Sequence, residues 1–234
     1  MPGLHQRGLI TTSAFLVITP DAETGEDRVA IIDSGWRLYH HRRIIEYLGR
    51  LGYGPGSVRQ LISSHYHPDH VGGMAGLIEA TGAPLAAHSV EAPYLAREAG
   101  RKLPNPVKPR WLRPFMWPLL TWMTPSRVPV ANRLNEGDVL PLLGGATVVH
   151  TPGHTPGSIS LHFPNEGVLL VADALQRYQG RLTLPSRWFS SDMEAAKESV
   201  RRLSQLDFEV LCFSHFEPMR QGARAALRSL AEYL

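Results

Sequence analysis

Six consecutive residues, His65-Tyr66-His67-Pro68-Asp69-His70, constrain this 234-residue chain more than any other feature. They follow directly on Val58–Ser63, a β-rich run. In an extended segment residues two apart project to the same side, so His65 and His67 can grip one ion together. Pro68 turns the chain, and Asp69 and His70 beyond it can face a second ion. Gly72 and Gly73 then remove side-chain bulk and let backbone pack closely behind. Imidazole and carboxylate are ligands for zinc and similar divalent metals. The plain alternative is a solvated histidine tract. Against it, the cluster is internal, contains an aspartate and sits at a strand end.

Three more residues occur in the same kind of place. His154 lies in Thr151-Pro152-Gly153-His154-Thr155-Pro156-Gly157, a tight loop between two strand-like runs. Asp173 ends the run Val168–Val171, and His215 follows Glu209–Phe213. Strand ends are where active sites of α/β folds gather. Taken singly, each reads as a turn residue or a hydrogen-bonded histidine; taken in this order, they read as ligands.

The rest of the chain supplies a scaffold for them. Leu9–Ile18 is apolar and follows Arg7, but it runs through Thr19-Pro20 into a polar turn without a small-residue cleavage site. It reads as part of a first strand rather than a signal peptide. Ala14–Thr19 and Arg28–Ile32 form strands about a turn, and His41–Leu51 places Ile44, Ile45, Leu48 and Leu51 on one helical face. Gly72–Thr81 and Glu91–Glu98 read as helices around a strand at Pro84–Ala87. In the second half Gly145–Val149 and Ser158–His162 are strand-like. Ser191 and Glu194 have capping-box spacing ahead of a helix from Asp192 to Leu206. Met219–Leu234 is a terminal helix. Alternating strands and helices argue an α/β fold, and the opening hairpin argues a mixed sheet.

The ordered set of motifs resembles the metallo-β-lactamase superfamily from about Asp33 to Pro218. The resemblance implies a four-layer αββα sandwich over residues 1–234 as one domain. It implies two divalent ions, zinc in the first place, with iron, manganese or cobalt also accepted by such ligands. His65, His67 and His154 would hold one ion; Asp69, His70 and His215 would hold the other, with Asp173 bridging. Asp33, in Ile31-Ile32-Asp33-Ser34-Gly35, matches an aspartate that supports the site from behind, and reads equally as a turn residue closing a strand. Two positions depart from the family pattern. Ala172 precedes Asp173 and Phe216 follows His215, where glycine is usual.

Two ions sharing a carboxylate lower the pKa of a trapped water and give a hydroxide nucleophile without a side-chain base. Asp69 is placed to pass a proton to the leaving group. His70 in place of a glutamate favours hydrolysis over the di-iron oxidase branch, and no cysteine ligand is present for a single-zinc β-lactamase. Size and motifs resemble N-acyl homoserine lactonases and hydroxyacylglutathione hydrolases. The lactonases orient the carbonyl with a tyrosine three residues after the bridging aspartate; here that position is Gln176 and the nearest tyrosine is Tyr178, the candidate for the role. The hydroxyacylglutathione enzymes carry a further C-terminal substrate domain, whereas one helix follows His215 here. The leading expectation is therefore hydrolysis of a lactone or acyl ester with an apolar tail, with a thioester or a phosphodiester as the alternatives.

Composition enters at one segment. Between Leu103 and Pro129 there are seven prolines among Trp111, Phe115, Trp117, Trp122 and other large apolar residues. Eight basic residues against Glu98 alone fall between Arg97 and Arg133. Prolines at this density forbid a long helix or a central strand. The segment from about 100 to 130 is thus expected to be a Pro/Trp-rich basic insertion, and the resemblance implies that it lines the substrate entrance. A homodimer contact is compatible with this, and membrane docking through 103–129 is the competing, non-enzymatic reading. Its prolines and tryptophans are more apolar than a phosphate-binding surface, which disfavours nucleic acid. Cys212 is the lone cysteine, as befits a reducing, cytoplasmic setting, and reads as a small core residue. His5, His40, His41, His88, His150 and His162 read as surface or structural residues.

Overall fold

A computed structural model describes residues 3–8, 12–21, 24–37, 40–98, 110–112, 114–115, 118 and 127–234. The chain divides into two compact units.

The first unit is built on a six-stranded sheet in the order β1-β2-β3-β4-β5-β6: Leu4–Gly8, Ser13–Pro20, Asp27–Ile32, Val58–Ser63, Leu85–His88 and Asn132–Leu134. β1, β2 and β3 are antiparallel neighbours, while β3 through β6 run parallel. The sheet is therefore mixed, as the opening hairpin requires. Its helices are α1 (His40–Arg50), α2 (Pro68–Val71), α3 (Met74–Thr81) and α4 (Ala92–Leu95). α1 buries Ile44 and Leu48 completely against a core that includes Leu16, Ile31, Leu61 and Leu77. Full burial of such a side chain is worth about 1.5–3 kcal/mol. The helix expected over 72–81 begins at Met74 as α3, and Gly72 and Gly73 stand between it and the short α2. The helix expected over 91–98 is only the single turn α4, and Arg97 just beyond it takes φ +54°, which ends any continuation.

The second unit carries a five-stranded sheet in the order β13-β10-β9-β8-β7: β7 Val139–Leu140, β8 Ala146–His150, β9 Ile159–Phe163, β10 Val168–Ala172 and β13 Val210–Phe213. β7 to β10 form an antiparallel meander, and β13 pairs in parallel with β10. β11 (Gln176–Tyr178) and β12 (Arg181–Thr183) make a separate hairpin. Its two-residue turn, Gln179-Gly180, has positive φ at both positions, the geometry that matches strand twist. α5 (Met193–Leu203) and α6 (Ala223–Glu232) pack Val200, Leu203 and Leu227 against Leu169, Leu211 and Phe213.

Two helix starts differ from expectation. Asp192, not Ser191, caps α5, its Oδ1 accepting from the amides of Glu194 and Ala195. Ser191 instead donates through Oγ to the carbonyl of Gly153. The last helix begins at Ala223 rather than Met219, because Met219 exchanges both backbone hydrogen bonds with Leu211 and so extends the sheet edge. Among the described residues no helix is long and apolar enough to cross a membrane.

Candidate metal centre

In the first unit the parallel pairing of β3 and β4 sets Asp33 beside Ser64 and the start of the histidine motif. His65 leaves just after β4, and His67 precedes α2 in an extended conformation. Pro68 opens α2, which brings Asp69 and His70 onto a turn off the strand direction. His65, His67 and His70 are buried, with ring centroids 4.8 Å apart for His65–His67 and 3.9 Å for His65–His70. Asp69 keeps 20% of its side chain exposed, with Oδ2 3.7 Å from His70 Nε2. Ser34 pins the turn, donating to the His70 carbonyl from both its amide and its hydroxyl, at 2.7 and 2.8 Å. Gly72 is required here: a Cβ would lie 2.4 Å from the Arg37 amide nitrogen and 2.5 Å from the Pro68 carbonyl oxygen.

Asp33 is both a turn residue and a support. Its φ of +60° is one that aspartate tolerates better than most residues. Its carboxylate is fully buried and accepts three hydrogen bonds: from Ser64 N at 2.8 Å, from Ser64 Oγ at 2.7 Å and from His70 Nδ1 at 2.8 Å. A carboxylate only accepts, so His70 carries its proton on Nδ1 and offers the Nε2 lone pair. Ser64 has one hydroxyl proton, already given to Asp33, so it accepts from His65 Nδ1 at 3.0 Å. His65 is thereby fixed in the same tautomer.

An Asp33→Asn variant keeps the backbone conformation but turns an amide donor toward groups that themselves donate. It is expected to lower the stability of the metal-free protein by about 1–3 kcal/mol and to weaken zinc binding about 10- to 100-fold. Denaturant titration and chelator competition measure the two; unchanged zinc affinity would show that His70 holds its tautomer unaided.

In the second unit His154 sits in the loop between β8 and β9, and Gly153 lets that loop press against α5. His154 Nδ1 lies 3.2 Å from Ser190 Oγ, whose own proton goes to the Ser186 carbonyl at 2.7 Å. Asp173 follows β10, and its Oδ2 lies 3.4 Å from His154 Nε2 and 3.1 Å from His215 Nε2. The parallel β10–β13 pair is what delivers Asp173 and His215 side by side. Ala172, where glycine is usual, takes φ +47° at a register shift in that pairing, so the family's glycine marks a real left-handed position. Phe216 turns an edge toward Phe213, at 6.3 Å between ring centroids.

The candidate metal ligands are His65, His67, Asp69 and His70 in the first unit and His154, Asp173 and His215 in the second, with tautomers suited to coordination where hydrogen bonds define them. The donor chemistry fits a divalent ion such as zinc, which takes imidazole nitrogen and carboxylate oxygen. Sequence reading missed Ser64 and Ser190. Ser64 adjoins the motif and was within reach of it; Ser190 lies 36 residues from His154 with no local pattern to mark it.

Other residues keep to structural roles or to the surface. Tyr178 is 67% exposed on β11, next to the hairpin turn. His40 is buried and accepts from the Trp36 amide at 2.9 Å, and burial, with Arg43 nearby, depresses its pKa and keeps it neutral. His150 and His162 bond to the carbonyls of Pro156 and Asp207. Burial raises the Cys212 thiol to about 11, so it stays protonated inside the core. Trp117 and Trp122, expected to line the entrance, lie outside the described residues, as does most of the 100–130 segment.

The chain is similar to the probable metallo-hydrolase YflN of Bacillus subtilis, at 31% identity over 78% of this chain and 74% of that protein. It is 30% identical to a hydroxyacylglutathione hydrolase of Cereibacter sphaeroides over 91% of this chain, but spans only 65% of that protein's length. An N-acyl homoserine lactonase from a Bacillus species is 29% identical over 80% of this chain and 68% of that enzyme. Among solved structures, a metallo-beta-lactamase family protein from Thermus thermophilus shares the fold at a TM-score of 0.68 and 23% identity, covering 100% of this chain and 79% of that one. MIM-1 from Novosphingobium pentaromativorans does so at 0.70 and 22%, covering 99% and 85%. The sequence model of the metallo-beta-lactamase superfamily matches residues 7–215, from β1 to His215. With that match and these relatives, the chain belongs to the metallo-beta-lactamase superfamily and is a metallo-hydrolase.

Proposed function

We propose that this metallo-hydrolase uses two divalent ions, zinc in the first place, to open an ester-like bond in a small molecule, a lactone or acyl ester with an apolar tail. The observation that carries the reading is the matched preparation of three candidate ligands: His65, His70 and His154 each carry the proton on Nδ1 and turn the Nε2 lone pair outward. Further support comes from the donors themselves: His65, His67, Asp69 and His70 in the first unit, and His154, Asp173 and His215 in the second. Seven donors are too many for one four- or five-coordinate ion, which argues for two.

When bound, such ions supply an activated water and polarise the carbonyl under attack. The protein's own residues do the rest. Asp33 and the two serines hold these histidine rings in one tautomer and orientation. Asp69, partly open to solvent, can take a proton at its carboxylate and hand it to the leaving oxygen. Trp188 and Phe189 favour the apolar tail. They are exposed, and they directly precede Ser190, the residue that holds His154. Each methylene laid against such a surface adds up to about 0.8 kcal/mol to binding.

Two predictions test this. Protein purified without chelators should carry close to two equivalents of metal; a stable single equivalent with full activity would sink the two-ion reading. Across a panel of lactones, acyl esters, thioesters and phosphodiesters, chelator-sensitive turnover should be fastest for lactones or esters and rise with acyl length. A preference for glutathione thioesters would replace the proposed substrate with that of the hydroxyacylglutathione hydrolases.

A further inference from the structure

We propose that Ser190 is a positioning residue that decides which ring nitrogen of His154 is offered to a metal; the purpose, though not the assignment, rests on the metal-centre reading above. The hydroxyl has one proton. Its oxygen lies 2.7 Å from the Ser186 carbonyl, which can only accept, so the proton is committed there. At the second contact, 3.2 Å to His154 Nδ1, Ser190 can only accept. His154 therefore carries its hydrogen on Nδ1 and the lone pair on Nε2.

This assignment is contested within the site, which gives the serine something to do. Asp173 Oδ2 lies 3.4 Å from His154 Nε2, and a carboxylate there pulls the proton toward Nε2. A ring with its proton on Nε2 would present an N–H, not a lone pair, to an ion on that side. Ser190 opposes that pull from the other end of the ring. It is 1% exposed, so bulk water does not replace its oxygen when it is removed. The next two residues fix its position: the amides of Ser191 and Asp192 both donate to the Gly153 carbonyl, at 3.0 and 2.9 Å, and Asp192 caps α5. The serine and the histidine loop are thus fastened together and move as one piece. His65 has the same arrangement through Ser64, but that relay ends on the Asp33 carboxylate, whereas the Ser190 relay ends on a neutral carbonyl. Of the two serine-relayed histidines, His154 is accordingly the one whose tautomer is more easily lost.

The test uses the metal-free full chain labelled with ¹⁵N-histidine, with the His154 signals assigned by their absence in His154→Gln. Long-range ¹H–¹⁵N correlation at pH 8 should show the Nδ1–H tautomer in the parent. In Ser190→Ala it should shift to Nε2–H or to a mixture, and Ser190→Thr, which restores the hydroxyl, should restore the parent pattern. Zinc affinity by chelator competition should fall about 10- to 100-fold in the alanine variant and recover in the threonine one. Thermal unfolding of the metal-free variants identifies any loss due to misfolding. An Nε2–H tautomer in the parent, or an unchanged Nδ1–H tautomer in Ser190→Ala, overturns the proposal. A parent with the expected tautomer that binds no zinc overturns the metal-centre reading and leaves the serine's control of the ring standing.

Discussion

Asp69→Asn is expected to cut turnover by about 10²- to 10⁴-fold, the usual contribution of a positioned proton donor, while shifting metal-free stability by less than about 1 kcal/mol. The reason lies in the contrast between two aspartates of the first unit. Asp33 is sealed, with all its bonding directed to Ser64 and His70, and has no route to a substrate. Asp69 keeps 20% of its side chain open, at the turn where Pro68 breaks the strand direction. Asparagine preserves shape and one acceptor oxygen there but holds no exchangeable acid proton. Turnover should therefore fall even when the variant is saturated with metal. Near-parental turnover at full metal content would remove Asp69 from the chemistry.

Gly153→Ala should be the most destabilising small substitution in the second unit, on the order of 3–5 kcal/mol. Two costs coincide. Gly153 has φ +133°, a conformation that L residues rarely adopt. A Cβ there would also lie 2.4 Å from the Ala196 backbone nitrogen and Cα, within α5, which cannot step aside as a side chain would. Gly180 is the internal control: its φ is +80° but nothing lies within 4 Å of a built Cβ. Gly180→Ala should cost only about 1 kcal/mol, the conformational part alone. Denaturant unfolding of both variants separates the two costs. Equal losses would mean that the loop can lift from α5, and that His154 is less firmly held than the packing implies.

The sequence was most informative where chemistry is local. The His65–His70 motif lies in one turn, and its pattern survives without any knowledge of the fold. Asp173 and His215 were also legible, because a strand-like run ends at each. Residues that act across distance were not. Ser190 reaches His154 only because α5 docks on the β8–β9 loop, and nothing near Ser190 announces that. Short edge strands were missed for a similar reason: Asn132–Leu134 and Val139–Leu140 are too brief to show a period and are defined by their neighbours. β1 was missed because Leu4–Gly8 has no apolar run of its own and is defined by its pairing with β2. The start of α6 moved because Met219 is committed to a bridge with Leu211, a tertiary choice that helical periodicity cannot foresee. The expected aromatic entrance at Trp117 and Trp122 lies outside the described residues.

The parallel pairing of β10 with β13 also fixes when, during synthesis, the second ligand set comes into being. Parallel neighbours need a return crossover, here through α5, so Asp173 and His215 touch in space while 42 residues apart in the chain. At about 5–20 residues per second of elongation, Asp173 is made roughly 2–8 s before its partner. Over that interval a growing chain holds His65, His67, Asp69, His70, His154 and Asp173 but has no β13 to order the last strand end. The strand-end pair Asp173–His215 therefore forms only once β13 has been made and has paired with β10, and no earlier stretch of the chain can assemble it.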